Sequence, residues 1–348
     1  MTTPSTTRAI FQKAAAALAC TMLYGVGPGA AQAGELTIYT STEGDNLKVF
    51  SERFSKAHPD IKVNWVRDST GIIQARLMAE KDAPRNDLIF AHAATDLLAL
   101  DAMNQFMPYT PKGMDKLDAR YRDKKPAPTW TGLWGFANAI CFNTVEAAKR
   151  NIPKPVQWSD LAKPVYKGQI TMPNPASSGT GYLMVSAWLQ AMGEKAGWEF
   201  MDKLHQNVAN YTHSGSAPCV LAARGERVVG LCLDMRAASE KTKGAPIDIA
   251  VPAKNGWEIE ATAIVKGSKN MDAAKKLVDW TVSKQAAEIY AKTYALVAHK
   301  EVKAEPKNYP AGMEAKLVKN DFGWMGKERG RILAEWTKRY DSKSDPKK

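Results

Sequence analysis

The stretch LTIYTSTEGDNLKVFSERFSKAHPDIKVNWVRDSTGIIQARLMAEKDAPRNDLIFA, residues 36–91, decides the fold. Residues 36–40 form a short strand, and Asp45 stands where a helix cap belongs. Leu47, Phe50, Phe54 and Ala57 recur at three- and four-residue spacing, which places them on one side of a helix. Ile61, Val63 and Trp65 alternate with Lys62 and Asn64, the period of a strand covered on one face. A second helix follows Thr70 and Gly71, and residues 87–91 make another apolar strand. Strand, helix, strand, helix, strand predicts a parallel sheet with helices on its faces, the α/β class. Ligands of such sheets sit beyond the carboxyl ends of the strands, here the loops at 40–44, 68–71 and 92–95.

Further on, residues 108–130 are rich in Pro, Lys and Asp and predict a surface excursion. The α/β rhythm then restarts, with apolar strands at 137–142, 169–172, 228–233, 247–251 and 261–265 and helices near 182–192, 198–205 and 220–223. From Met271 the chain is helical, with Ala274, Leu277, Val278 and Trp280 on one face, and the polar residues 342–348 are expected to fray. Two α/β halves imply a cleft between two lobes.

At the amino terminus, Arg8 and Lys13 precede a small apolar stretch at 14–26 and an Ala-x-Ala site at Ala31, Gln32 and Ala33. This is the layout of a cleaved signal peptide over residues 1–33, with a mature chain from Gly34 in the periplasm. The alternative is a loose lipobox that anchors the chain through a lipid on Cys20. Of the +12 net charge of the 348 residues, cleavage removes two positive charges, so the basic excess belongs to the mature chain. Export leaves Cys141, Cys219 and Cys232 where disulfides form. A Cys219–Cys232 pair is geometrically reasonable and Cys141–Cys219 is its rival; the sequence does not choose.

The loops supply the candidate site. Residues 173–181 run between a strand and a helix and offer Ser177, Ser178, Gly179 and Thr180 at a helix start, where free N–H groups and the positive dipole end attract an anion. Similar hydroxyl-rich loops recur as Ser41 and Thr42, as Ser69 and Thr70, and as Ser214 and Ser216. Ser, Thr and Gly at a helix start also serve simple capping. Together, four such loops suit a small oxyanion. The carboxylates Glu43, Asp234, Glu258 and Glu260 lie at strand ends and suggest that the ligand carries a cation as well, with Trp257 or Tyr294 as a wall.

Enzyme readings have less behind them. There is no Walker loop, G-x-S-x-G or H-E-x-x-H, and the five histidines show no metal-ligand spacing. A hydrolase using Ser178 or His213 is the rival from that class. The basic residues form no aromatic-interleaved patch, so no nucleic-acid partner is expected.

Residues 65–71 (WVRDSTG), 139–144, 166–170 running into 172–181, 211–216 and 260–266 resemble the periplasmic substrate-binding proteins of ABC importers, in the branch that binds 2-aminoethylphosphonate. The resemblance implies a type II-like, two-lobed α/β protein, each lobe a sheet flanked by helices, closing by a hinge on a ligand in the cleft. It places lobe 1 at 34–137 and 265–348, lobe 2 at 138–264, and the crossovers near 137–142 and 260–265. It implies a monomer without catalysis, metal or cofactor, whose partners are a small zwitterionic phosphonate and a permease with its ATPase. The phosphonate suits the hydroxyl loops, and the ammonium suits Glu43 or Asp234. Receptors for phosphate, a phosphate ester, a polyamine or ferric iron are the alternatives; the related ferric-binding proteins use adjacent tyrosines, and none of the 11 Tyr here adjoins another.

Overall fold

A computed structural model describes residues 34–346; the expected signal peptide and Cys20 lie outside the described residues. The strands are β1 (Gly34–Thr40), β2 (Ile61–Arg67), β3 (Leu88–Ala93), β4 (Thr131–Asn143), β5 (Ile170–Pro173), β6 (Val208–Thr212), β7 (Val229–Leu233), β8 (Ile247–Ala250), β9 (Trp257–Ile264) and β10 (Leu296–Val297). They lie in the order β2-β1-β3-β9-β4-β7-β5-β6, with β8 and β10 also paired to β4. β1 is parallel to both β2 and β3, as the opening stretch predicts. Leu47, Phe50 and Phe54 are the buried residues of the helix Gly44–Ala57. Its cap position is held by Glu43 rather than Asp45, which sits in the first turn.

β4 joins the two halves. It is buried along all 13 residues, pairing with β9 and β10 over its first half and with β7 and β8 from Asn138 onward. β9 is antiparallel to β3 on one edge and to β4 on the other, so all of it lies in the first sheet. The return from β8 to the first sheet therefore runs through residues 251–256, upstream of the expected crossover at 260–265. A run of alternating apolar residues does not say which sheet edge it will join.

Two buried clusters form, and the first runs across both halves, from Leu36 to Cys141 and Cys232. In the first, Phe50 packs against Phe90, Trp134 and Tyr290 with ring centres 5.1–5.9 Å apart. The second gathers Tyr166, Tyr182, Trp188 and Leu204, and it also takes Ile332, Trp336 and Tyr340 from the last helix, Phe322–Tyr340. The terminal residues described do not fray: Ser344 bridges to Tyr211, and the Asn210 amide donates to Asp345 at 2.9 Å. The 108–130 excursion buries Leu117 and Tyr121, so it is partly core.

The disulfide joins Cys141 and Cys219, with Cα atoms 5.4 Å apart, and Cys232 remains a buried thiol. Register explains the choice. Cys141 pairs with Gly230, and a Cβ at Gly230 would collide with the backbone of Pro218. That glycine lets the helix start lean onto the sheet and sets Cys219 over Cys141. Burial pushes the Cys232 thiol far up, which disfavours the reactive thiolate.

Candidate ligand-binding site

Three helices begin at one cavity of about 50 Å³. They are Gly44–Ala57, Thr70–Ala79 and Gly179–Met192, and their cap residues Glu43, Ser69 and Ser178 all line it. Each start presents unpaired N–H groups and the positive end of a helix dipole. Only Ser178 caps through its side chain, its Oγ accepting from the Gly181 N–H at 3.3 Å. That bond uses a lone pair and leaves the hydroxyl proton free to donate, so one residue serves both capping and anion binding.

Of the expected residues, Ser41, Thr42, Glu43, Ser69 and Thr70 line the cavity from the first half, and Ser178, Thr180 and Ser214 from the second. Glu260 closes it from β9. The others stand behind. Ser177 donates to the His213 carbonyl at 3.0 Å, and its own carbonyl accepts from the Gly71 N–H at 2.9 Å. Gly179 lies against Thr70, where a Cβ would come 2.8 Å from Oγ1. Ser216 donates to Glu43 at 2.6 Å. Asp234 is buried outside the lining, accepts from the Met235 N–H at 2.8 Å, and is raised to about 7 chiefly by burial. His213 faces the Pro346 carbonyl at 2.8 Å, and Trp257 packs on Phe322 in the core.

The carboxylates differ in what they are free to do. Glu43 lies 3.1 Å from Arg236 and 3.7 Å from Arg67, besides accepting from Ser216. Its charge is compensated, and it ties the β1 loop to the second half. Glu260 is half-buried, yet its Oε2 is sealed from water and has no hydrogen-bond partner. Burial first, and the neighbouring carboxylates Glu258, Asp96 and Glu43 next, raise it to about 8. Glu258 is likewise raised to about 8, mainly by burial, and accepts from Thr95 at 2.6 Å. Of the candidate carboxylates, Glu260 is thus the one lining the cavity without a partner.

The same shifts set a pH dependence. A carboxyl raised from its unfolded value stabilises the fold fully below about 4.3 and loses that contribution as pH rises through the folded value. The ligand-free protein is therefore expected to lose thermal stability between about pH 5 and 8. A midpoint that stays level or rises across that window in differential scanning calorimetry would contradict the placement of Glu258 and Glu260.

Residues that local sequence did not single out complete the site. Arg67 ends β2 and donates to the Thr42 carbonyl at 2.9 Å; it stands directly before the 68–71 loop, which was the available signal. Trp134 and Phe136 enter from β4 and meet Tyr294, which was expected as a wall and stacks on Trp134 with ring centres 4.5 Å apart. Leu233 and Met235 flank them from the end of β7. These side chains give the cavity one apolar wall opposite its hydroxyls, and only the tertiary fold brings them together.

Among the described residues, no helix is long and apolar enough to cross a membrane. Residues 92–323 match the family model described as bacterial extracellular solute-binding protein. An uncharacterized protein of Haemophilus influenzae is 30% identical over 318 residues, covering 87% of this chain and 90% of that one. A probable ABC transporter periplasmic-binding protein of Sinorhizobium fredii is 25% identical over 280 residues, 77% of this chain and 75% of its own. Among solved structures, the periplasmic binding protein AfuA of Actinobacillus pleuropneumoniae, with fructose-6-phosphate bound, superposes with a TM-score of 0.82 at 28% identity, over 88% of this chain and 99% of that one. With a matching two-lobed fold and helix starts converging on one cavity, the chain belongs to the bacterial extracellular solute-binding proteins that serve ABC transporters.

Proposed function

We propose that the cavity captures 2-aminoethylphosphonate, or a close aminophosphonate, in the periplasm and delivers it to a permease and its ATPase without chemical change. The observation that carries this reading is the unpartnered carboxylate of Glu260 in a small cavity whose other walls are hydroxyls at helix starts, the ion-paired Arg67 and Glu43, and an apolar face. The hydroxyls of Ser69, Thr70, Ser178 and Thr180, with the N–H groups behind them, suit a phosphonate. Glu260 suits an ammonium, and the Trp134 and Tyr294 rings suit the two methylenes between.

Size supports the same choice. A water needs roughly 10–15 Å³ by this measure, so about 50 Å³ corresponds to a handful of waters or a ligand of few heavy atoms. Closure around so small a ligand would turn on β4 near Ala137 and on the 251–256 segment.

A thermal-shift panel of aminoethylphosphonate, phosphate, spermidine, fructose-6-phosphate and ferric citrate tests this reading. Stabilisation by the aminophosphonate is expected, and its absence at millimolar concentration would sink the proposal. Replacing both Ser178 and Thr180 by Ala is expected to weaken aminoethylphosphonate and ethylphosphonate alike, by about tenfold or more, since each hydrogen bond to a charged group contributes about 1.5–3 kcal/mol. A loss confined to the amino-bearing ligand would mean that these hydroxyls do not hold the anion.

A further inference from the structure

Behind Ser41 runs a row of buried charged side chains that anion capture does not require. His92, from β3, is fully buried, and its Nδ1 lies 3.1 Å from Ser41 Oγ. Its Nε2 lies 3.3 Å from Oδ2 of Asp96, also fully buried. The other oxygen of Asp96 is 3.1 Å from Nε of Arg329 on the last helix, and Arg329 stacks over Tyr182 at 4.5 Å.

These are ion-pair distances: neither His92 Nε2 nor either Asp96 oxygen has an aligned hydrogen-bond partner. A carboxylate only accepts, so the Nε2 that faces Asp96 carries a proton. Asp96 also pairs with Arg329, and with the ring proton on Nε2 the Nδ1 is an acceptor. A buried acceptor left without a donor is costly, and the Ser41 hydroxyl is within reach. The Ser41 hydroxyl is also placed to donate to the Ala91 carbonyl at 3.2 Å, which accepts from the Ser41 N–H as well. Either acceptor, His92 Nδ1 or the Ala91 carbonyl, draws the Ser41 proton away from the cavity and leaves an oxygen lone pair for it. Glu260 lies close enough to Asp96 for their charges to repel, which puts the unpartnered carboxylate beside the same row.

We propose, resting on the aminophosphonate reading of the site, that His92 and Asp96 fix the Ser41 hydroxyl as an acceptor, which takes an N–H of the ligand's ammonium and turns away its phosphonate oxygens. His92 and Asp96 are positioning residues in this account, and Ser41 touches the ligand.

Long-range proton–nitrogen NMR on histidine-labelled, ligand-free protein reads the arrangement directly. The His92 ring is expected to carry its proton on Nε2 and a bare Nδ1; a proton on Nδ1 would overturn the proposal whatever binds. In calorimetric titrations, Ser41→Ala is expected to weaken aminoethylphosphonate about tenfold and leave ethylphosphonate within about threefold. Equal loss for both would overturn the proposal. Asp96→Asn is expected to move the imidazole proton to Nδ1, as loss of an orienting carboxylate does elsewhere, and to cut the preference for the amino-bearing ligand about tenfold. Should that variant fail to fold with Arg329 unpaired, the wild-type spectrum and Ser41→Ala still decide. Absence of aminophosphonate binding in the wild type would overturn the functional reading and the ligand half of this proposal, while the spectrum reports separately on the histidine.

Discussion

Glu260→Gln is expected to weaken 2-aminoethylphosphonate roughly 100-fold and to leave ethylphosphonate within about threefold of the wild type. Truncating one partner of a desolvated charge pair costs about 2–5 kcal/mol; the Glu260 Oε2 has no partner among the described residues, and a ligand ammonium is the one we propose for it. Part of that gain is offset in the wild type. With the carboxyl raised to about 8, ionising it at pH 7 costs about 1.4 kcal/mol, one pKa unit. Capture of an ammonium should therefore expel a proton, and affinity should rise with pH between about 6 and 8. Titration at pH 7 in buffers of different ionisation enthalpy is expected to register close to one proton released by the wild type and none by the variant. Gln also removes the cost of the raised carboxyl, so the ligand-free variant should melt higher than wild type at pH 8. An unchanged ligand preference in Glu260→Gln would mean that the ammonium sits elsewhere.

Gly71→Val is expected to cost more than 100-fold in affinity for every ligand, with or without an amine. A Cβ at Gly71 would collide with the Ala176 carbonyl and come 2.9 Å from Ser177 Cα. These are backbone atoms of the facing half, with no flexible side-chain end to give way. The Gly71 N–H also donates to the Ser177 carbonyl at 2.9 Å, so the contact bears directly on closure. Gly71 lies in the first turn of its own helix, where a side chain does not oppose helix formation by itself. Small-angle scattering with saturating ligand should find the variant more open than the wild type. Wild-type affinity in Gly71→Val would show that closure tolerates a side chain there and that the cavity described is not the bound form.

What could be read from the chain follows the reach of each interaction. The β1 to β3 unit was legible because each of its elements is set by neighbours three or four residues away along a helix, or two along a strand. The hydroxyl loops were legible too, since the carboxyl ends of parallel strands can be located once the strands are. Glu43 looked like an ammonium ligand from its loop alone, and only the fold brings up Arg236, 193 residues away, to occupy it. The disulfide depended on the register of Cys141 against Gly230, which no spacing of cysteines encodes. The Ser41, His92, Asp96 and Arg329 row likewise draws on three elements, one of them the last helix. The cavity-lining hydroxyls at local helix starts were named in advance, as were Glu260 and Tyr294; Arg67, Trp134 and Phe136, which only the packing brings to the cavity, were not.

In the proposed complex, one small cavity holds an anion on helix starts and an ammonium on Glu260. Calorimetric titration of the mature chain with 2-aminoethylphosphonate and with ethylphosphonate, under identical conditions at pH 7.5, tests it most directly. The account predicts one site per chain and at least about 30-fold tighter binding of the amino-bearing ligand. Equal affinities, or no binding of either at millimolar concentration, would contradict it.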